Sequence, residues 1–306
     1  MFIAKYDYVF KKEREKSLKV KLLTVGFLSI FLLAWAALQY SQYFDGKLHI
    51  VFCDVGQGDA IFIRTPKGAD IVVDGGPNDK VLGCLSNHMP FWDRDIELIF
   101  ATHPDADHIT GLESVLKNYT VKSFNTSKKS KGTKVFARIQ SLIEAKKIPF
   151  RYVYSGDKFS LSDNVLIETF WPSHEHVESD TGGKLDANSF SLVQTINFGQ
   201  FKALLTGDIE YQILDTLFNQ GLEIDIFKLP HHGSKTGVDE MTFELIKPGL
   251  SIISAGKNNR YHHPHPSVLE FLKKYNLSYK NTISDGEIEI VSDGTRFEYK
   301  VQRVGP

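Results

Sequence analysis

Hydrophobic positions follow two regimes along the chain. From Leu22 to Leu38 (LLTVGFLSIFLLAWAAL), 17 uncharged residues form an almost unbroken apolar run, near the roughly 20 needed to cross a bilayer core. From Lys47 onward the apolar residues come in short bursts between Gly, Pro and polar turns. LHIVFCDV, AIFIRT and DIVVDGG predict short strands, Lys80 to His88 a helix, and IELIFAT a further strand. In ITGLESVLKNY, Ile109, Leu112, Val115 and Leu116 recur at helical spacing.

The second half repeats the theme. SFSLVQTINF and QFKALLTG predict a hairpin turning near Gly199–Gln200. A helix-like stretch (Ile209 to Phe218), the strand IDIFKLP and a segment from Glu240 to Ile246 follow. Then come the strand GLSIISAG, a helix after Pro266 and a strand pair within EIEIVSDGTRFEYKV. Strands alternate with helices but many are joined as hairpins, so the sheets should be mixed. Two sheets with helices on their outer faces would bury this pattern. The lysine-rich KSFNTSKKSKGTK (Lys122 to Lys134) is expected to be an exposed loop.

Charge adds an orientation. The formal net charge is −1, yet residues 1–21 hold seven Lys/Arg against three acids, which leaves a body of net −5. Basic residues on the N-terminal side of the apolar run place residues 1–21 as a cytoplasmic head, 22–43 as a transmembrane signal-anchor and 44–306 outside. Trp35, Tyr40 and Tyr43 supply an interfacial aromatic belt. Ala34 to Ala36 (AWA) also resembles a signal-peptide cleavage site, and either route exports the body. Cys53 and Cys84 lack Cys-x-x-Cys spacing, which argues against a thiolate zinc site. Two buried thiols and a disulfide both remain open.

Candidate chemistry is concentrated in FATHPDADHITGL (Phe100 to Leu112), where His103, Asp105, Asp107 and His108 fall within six residues after a predicted strand. Pro104 restricts the preceding backbone to extended geometry. Imidazoles mixed with carboxylates suit zinc, manganese or iron, although a polar turn with N-capping aspartates would share part of this composition. Asp208 follows a strand in LLTGDIE, His231 and His232 follow another in FKLPHHGSKTG, and NNRYHHPHP brings His262, His263 and His265 before a helix. Several strand ends each delivering His or Asp is how a rigid scaffold assembles a metal site on loops.

THPDADHITGL resembles the metallo-β-lactamase signature His-x-His-x-Asp-His, with Asp105 in place of the second His. Together with DVGQGDA, VDGG, ANSFSLV, LLTGDIE, LPHHGSKTG and YHHPHP it resembles the C-terminal domain of ComEC-type DNA-uptake proteins, over roughly Lys47 to Val301. The resemblance implies an α/β, four-layer αββα sandwich, a metallo-β-lactamase fold preceded by one transmembrane helix, with 44–306 as the hydrolase domain. It also implies two divalent ions, Zn²⁺ or Mn²⁺. His103 and Asp105 would bind one, Asp107 and His108 the other, and Asp208 would bridge them, with His231 or His232 completing the set. A third histidine usual in this fold is not evident: His174 and His176 lie in the right interval but lack matching context. An asymmetric site, with one ion held more weakly, is therefore expected.

Carried further, the resemblance implies catalytic roles for Asp107, Asp208 and His263, with His263 or the non-ligating one of His231 and His232 protonating the leaving oxygen. Asn188 and Ser191 would contact substrate or support the loop. Ser234 is expected on the substrate side as a loop hydrogen-bonder rather than a nucleophile, and Asp59 and Asp74 would hold loops behind the ligands. The implied activity is metal-dependent hydrolysis of DNA phosphodiesters outside the cell, in DNA uptake or degradation, with Lys122 to Lys134 as a candidate strand contact. One span precedes the domain, so an import channel would be a separately encoded partner. Rival expectations are hydrolysis of a small phosphodiester or cell-wall choline-phosphate ester, and a non-catalytic anchored binding domain.

Overall fold

The computed structural model describes residues 2–128 and 132–302, in two compact units that divide after Asp45. The first is the helix Phe2–Tyr43. Its segment Glu13–Leu38 has a mean hydropathy of 2.0 and none of it is buried, so it is long and apolar enough to cross a membrane.

The second unit holds two mixed sheets. The first is ordered Phe297–Val301, Ile288–Ser292, Leu48–Phe52, Ile61–Arg64, Asp70–Val73, Leu98–Ala101, Phe124–Thr126, Phe150–Tyr152. Neighbours are antiparallel as far as Asp70–Val73 and parallel beyond it. The second is ordered Tyr279–Asn281, Pro248–Ile253, Ile224–Lys228, Phe201–Leu205, Val193–Phe198, Val165–Trp171, Lys158–Ser160. Here the parallel pairs come first and the antiparallel ones follow.

Side-chain alternation explains the stacking. Ile50, Ile63, Ile71 and Phe100 share one core with Ile196, Ala203, Ile226 and Ile252 of the other sheet. Their sequence neighbours Val51, Phe62, Val72 and Ile99 point the opposite way, onto Leu85, Leu112, Leu116 and Ile139 of the helices. A third core joins Leu204, Phe227 and Ile253 to Leu214, Phe243 and Leu272. Three cores separate four layers, helix–sheet–sheet–helix. Strands covered on both faces carry near-continuous apolar runs, and each fully buried Ile or Phe contributes about 1.5–3 kcal/mol.

Lys80–His88 is a helix with the expected limits, the segment Glu240–Ile246 is also helical, and the hairpin turns at Gly199–Gln200. The expected helix Ile209 to Phe218 is shorter, Tyr211–Leu217. Lys122 to Lys134 is not simply an exposed loop. Phe124–Thr126 is a buried strand whose polar side chains are satisfied internally: Asn125 Nδ2 donates to the Ile99 carbonyl (3.1 Å) and Thr126 Oγ1 to that of Ala101 (2.9 Å). Residues 129–131 of that stretch lie outside the described residues. Cys53 and Cys84 form a disulfide, Cα–Cα 5.8 Å, tying the end of Leu48–Phe52 to Lys80–His88.

Candidate metal centre

The chain leaves each strand that feeds the site at its C-terminal end. Leu98–Ala101 delivers Thr102 and His103, Asp70–Val73 delivers Asp74, Phe201–Leu205 delivers Asp208, Ile224–Lys228 delivers His231 and His232, and Pro248–Ile253 delivers Ser254. His108 comes from the first turn of the helix Ala106–Asn118. That helix can press onto the Asp74 loop because residue 111 is glycine: a Cβ there would lie 1.9 Å from the Gly75 carbonyl oxygen. Gly58 likewise makes room for the Asp107 carbonyl, which a Cβ would approach to 2.0 Å.

Three buried imidazoles, His103, His108 and His232, share one arrangement. The hydroxyl of Thr102 donates to Asp74 Oδ2 (2.7 Å), so the same oxygen accepts from His103 Nδ1, 3.0 Å away. His108 Nδ1 donates to Asp74 Oδ2 (2.7 Å), and His232 Nδ1 donates to the Ser254 carbonyl (2.9 Å). Each Nδ1 thus carries a proton, so that each ring in its neutral form presents a bare Nε2. All three Nε2 atoms are buried without an aligned hydrogen-bond partner, as is Asp208 Oδ1. Buried polar atoms without partners are costly, and imidazoles oriented through the far nitrogen are the habit of metal-binding histidines.

The free atoms converge. Asp208 Oδ2 lies 3.2 Å from His108 Nε2 and 3.3 Å from His232 Nε2, and His232 Nε2 is 3.6 Å from Asp107 Oδ2. Ligand atoms of His103, His108 and Asp208 fall within 4.8 Å of one another, as do those of Asp107, His108 and His232. Neutral imidazoles with carboxylates fit zinc, manganese or iron.

Electrostatics match that donor set. Burial, with the charge of His108, pushes His103 down to about 3, which keeps it neutral. Burial also opposes charge on His108 and His232. Asp208 with Asp74 around the first, and Asp208 with Asp59 around the second, outweigh it and hold both well above the usual imidazole range. Burial would raise Asp208, but His108 and His232 hold it well below the carboxylate range. The carboxylates therefore call for positive charge at this spot, and divalent ions would displace the two protons.

The remaining expected residues divide. Asp105 sits at the rim, 41 % exposed, with Oδ2 3.8 Å from His103 Nε2. His231 Nε2 is 4.0 Å from Asp208 Oδ2, farther than that of His232. His263 lies beside both, ring centroids 5.4 Å from His231 and 6.3 Å from His232, and burial with their charges lowers it to about 4. Ser191 is buried between the two halves: its Oγ is 3.2 Å from His103 Nδ1 and accepts the Asp208 amide N–H (3.0 Å). Asn188 is half-buried in the turn before it, and its carbonyl accepts the Ser191 N–H. Ser234 Oγ accepts the Thr236 N–H (3.3 Å) inside its own loop. His174 stacks on Tyr154 and His176 packs between Trp171 and Phe190, away from the cluster. Lys122 pairs with Asp95 at 2.9 Å.

Lys228 was not expected. It is fully buried behind Asp208, with Nζ bonded to Asp59 Oδ2 and the Gly207 carbonyl (2.9 Å) and 3.7 Å from Asp208 Oδ1. Burial raises Asp59, but Lys228 and His232 overcome it and hold the carboxyl at about 2. The available signal was a single lysine ending the otherwise apolar IDIFK.

This fold and donor cluster define a metal-dependent hydrolase framework, and residues 53–257 match the family model for the metallo-beta-lactamase superfamily. The chain belongs to that superfamily. Within it, the chain is 28% identical over 271 residues to ComE operon protein 3 of Bacillus subtilis, covering 80% of this chain and 33% of that protein. It is 27% identical over 295 residues to Recombination protein 2 of Haemophilus influenzae, covering 94% and 34%. The chain thus spans about a third of the length of these distant relatives. Among solved structures, the metallo-beta-lactamase fold protein YhfI from Bacillus subtilis shares the fold at TM-score 0.55 and 12% identity, covering 80% of this chain and all of that one. Zn²⁺-bound PqqB from Methylobacterium extorquens does so at 0.53 and 10%, covering 76% and 97%.

Proposed function

We propose that the chain is a membrane-anchored, extracytoplasmic phosphodiesterase that cuts DNA with two divalent ions, in DNA uptake or degradation. One observation carries the reading: three buried histidines, each held through Nδ1, turn partnerless Nε2 atoms toward Asp208. The competence and recombination relatives direct the substrate towards DNA. The apolar helix supports anchoring, and the Cys53–Cys84 disulfide supports an oxidising compartment.

Asp107, His108 and His232 would hold one ion, and His103 with Asp105 the other, with Asp208 shared. Such ions neutralise phosphate oxygens and make water a nucleophile near neutral pH. The protein's own work is positional. Ser191 fixes His103 and the Asp208 amide together, so the two halves of the site keep one spacing. His263 is neutral near pH 7 and serves the leaving oxygen as a hydrogen-bond donor. Asn188 and His231 flank the substrate side. The negative body is no obstacle, because Asp59, Asp74, Asp107 and Asp208 surround the site where the cations would sit.

The test is cleavage of end-labelled single-stranded DNA by the full chain in detergent, after chelation and then with Mn²⁺ or Zn²⁺ restored, beside Asp208→Ala. Metal-dependent cutting that Asp208→Ala abolishes is expected. A folded, metal-loaded protein that leaves DNA intact yet hydrolyses small diesters would transfer the assignment to a small phosphodiester.

A further inference from the structure

A groove of about 670 Å³ opens beside the metal centre, between Asp105 and Asp107 on one wall and Asn259, Arg260 and Tyr261 on the other. The second wall is built on Asn259. Its Oδ1 accepts the N–H groups of Tyr261 (3.1 Å) and His263 (3.0 Å), while its Nδ2 donates to the Gly256 carbonyl (2.8 Å). These bonds fix a loop that would otherwise be free to move. On it, three flat groups pile up. The His263 ring lies 5.8 Å from that of Tyr261 at an interplanar angle of 22°, and the Arg260 guanidinium carbon sits 4.7 Å from the Tyr261 centroid. Tyr261 is 48% exposed. His263 thus connects the histidines of the metal centre to Tyr261 and Arg260, which line the open groove.

Two further features suit a phosphate-bearing ligand. Lys80, at the start of its helix, lines the same groove as Arg260 and brings a second cation to it. Gln57, also on the groove, uses Oε1 to accept the Gly256 N–H (3.2 Å), which leaves its buried Nε2 a donor without an acceptor. Flat groups with cations, lying along a groove, are the ingredients of single-strand recognition, in which bases stack and phosphates meet positive charge. A duplex keeps its base faces covered by neighbouring pairs.

We propose that Tyr261 and Arg260 form a stacking platform for one unpaired nucleobase next to the scissile phosphodiester, with Lys80 and Gln57 contacting the adjoining phosphate. The site thereby selects single-stranded over double-stranded nucleic acid. The selectivity for DNA cutting rests on the phosphodiesterase reading above; the platform itself does not require it. Arg260 exchanges its place over the tyrosine for the base or the phosphate, while Tyr261 and Asn259 keep the loop's shape.

Two measurements on the full chain in detergent test it. The first is fluorescence anisotropy of a labelled 12-mer, as a single strand and as the matching duplex, with metal chelated so that no cutting occurs, for the unmodified protein, Tyr261→Ala, Tyr261→Phe and Arg260→Ala. Loss of one stacked base weakens binding about five- to hundredfold. That loss is expected for Tyr261→Ala and, through its cation, Arg260→Ala, whereas Tyr261→Phe retains the ring and most of the affinity. The second, with Mn²⁺, is the ratio of kcat/KM on the single strand to that on bis(p-nitrophenyl) phosphate, which should fall at least about fivefold in Tyr261→Ala. If the unmodified protein binds the strand without cutting it and Tyr261→Ala weakens that binding, the platform stands and the nuclease reading falls. Equal affinity for strand and duplex, no binding by the unmodified protein, or a Tyr261→Ala variant that binds as well as Tyr261→Phe would each overturn the platform.

Discussion

His108 Nδ1 and Asp74 Oδ2 are 2.7 Å apart, inside the protein, where the first turn of the helix Ala106–Asn118 meets the end of the strand Asp70–Val73. Asp74 Oδ2 also receives the Thr102 hydroxyl, and Oδ1 receives the Thr102 N–H at 2.8 Å. A single carboxylate thus orients His108 directly and His103 through Thr102. Asp74 adopts a positive φ of 58° to do so, a left-handed geometry that only Gly, Asn and Asp take readily.

Asp74→Asn should therefore loosen metal binding rather than the fold. Asparagine fits the same backbone region but can accept only at one oxygen, so His108 or Thr102 loses its partner. Mutations of such supporting groups typically cost about 10- to 100-fold in metal affinity. Competition against a chromophoric chelator measures it; a folded Asp74→Asn protein with unchanged affinity would remove Asp74 from this role.

Lys228 makes a separate, energetic prediction. Replacing it with methionine keeps the volume but leaves Asp59 buried beside Asp208 and Asp74 without its cation. Breaking a buried pair from one side costs about 3–5 kcal/mol. Denaturant unfolding of Lys228→Met should show that loss, and Lys228→Met combined with Asp59→Asn should recover part of it. A single variant within about 1 kcal/mol of the original would show that the pair is not the support described.

What was legible in the sequence was local. His103, Asp105, Asp107 and His108 fall within six residues after an apolar strand, so their type and spacing pointed to a candidate site before any packing was known. Asp208 and the His231–His232 pair were legible for the same reason. Lys228 and Asp59 were not jointly legible, since their meaning arises when a strand and a loop bring together residues 169 apart in sequence. Thr102 and Ser254 act through one hydroxyl and one backbone carbonyl, which leave no distinctive pattern. Phe124–Thr126 was hidden because two of its three buried residues are polar and their partners lie on another strand. Cysteine spacing could not choose between thiols and a disulfide, which depends on where Lys80–His88 docks.

Acid sensitivity should appear at the final hairpin. The Asp293 carboxylate accepts the N–H groups of Arg296 (2.9 Å) and Thr295 (2.8 Å), and these bonds hold its pKa at about 2. An unfolded aspartate titrates near about 3.9. The folded value is the lower one, so the stabilisation is complete above about pH 4 and is lost as pH falls towards about 2. Thermal melts of the original protein and Asp293→Asn should therefore differ at pH 6 and converge near pH 2. A gap that stays constant across that range would show that the carboxylate charge is not what secures the turn.

The disulfide supplies the last prediction. Cys53 follows the strand Leu48–Phe52 and begins the loop that carries Gln57 and Asp59; Cys84 lies on the helix that begins with Lys80. The bond therefore fastens the loop that carries Gln57 and Asp59 to the helix that brings Lys80 to the groove. A cross-link separated by 31 residues restricts the unfolded chain by about 3–4 kcal/mol in the chain-entropy model. For a domain of this size that corresponds to roughly 10 °C in melting temperature. Cys53→Ala with Cys84→Ala should lose that margin, and reduction of the original protein should reproduce the loss without further effect on the double variant. Alkylation before and after reduction, read by mass spectrometry, checks the bond itself. Two thiols that react freely in the unreduced protein, or a double variant that melts with the original, would show that the domain stands without this fastening.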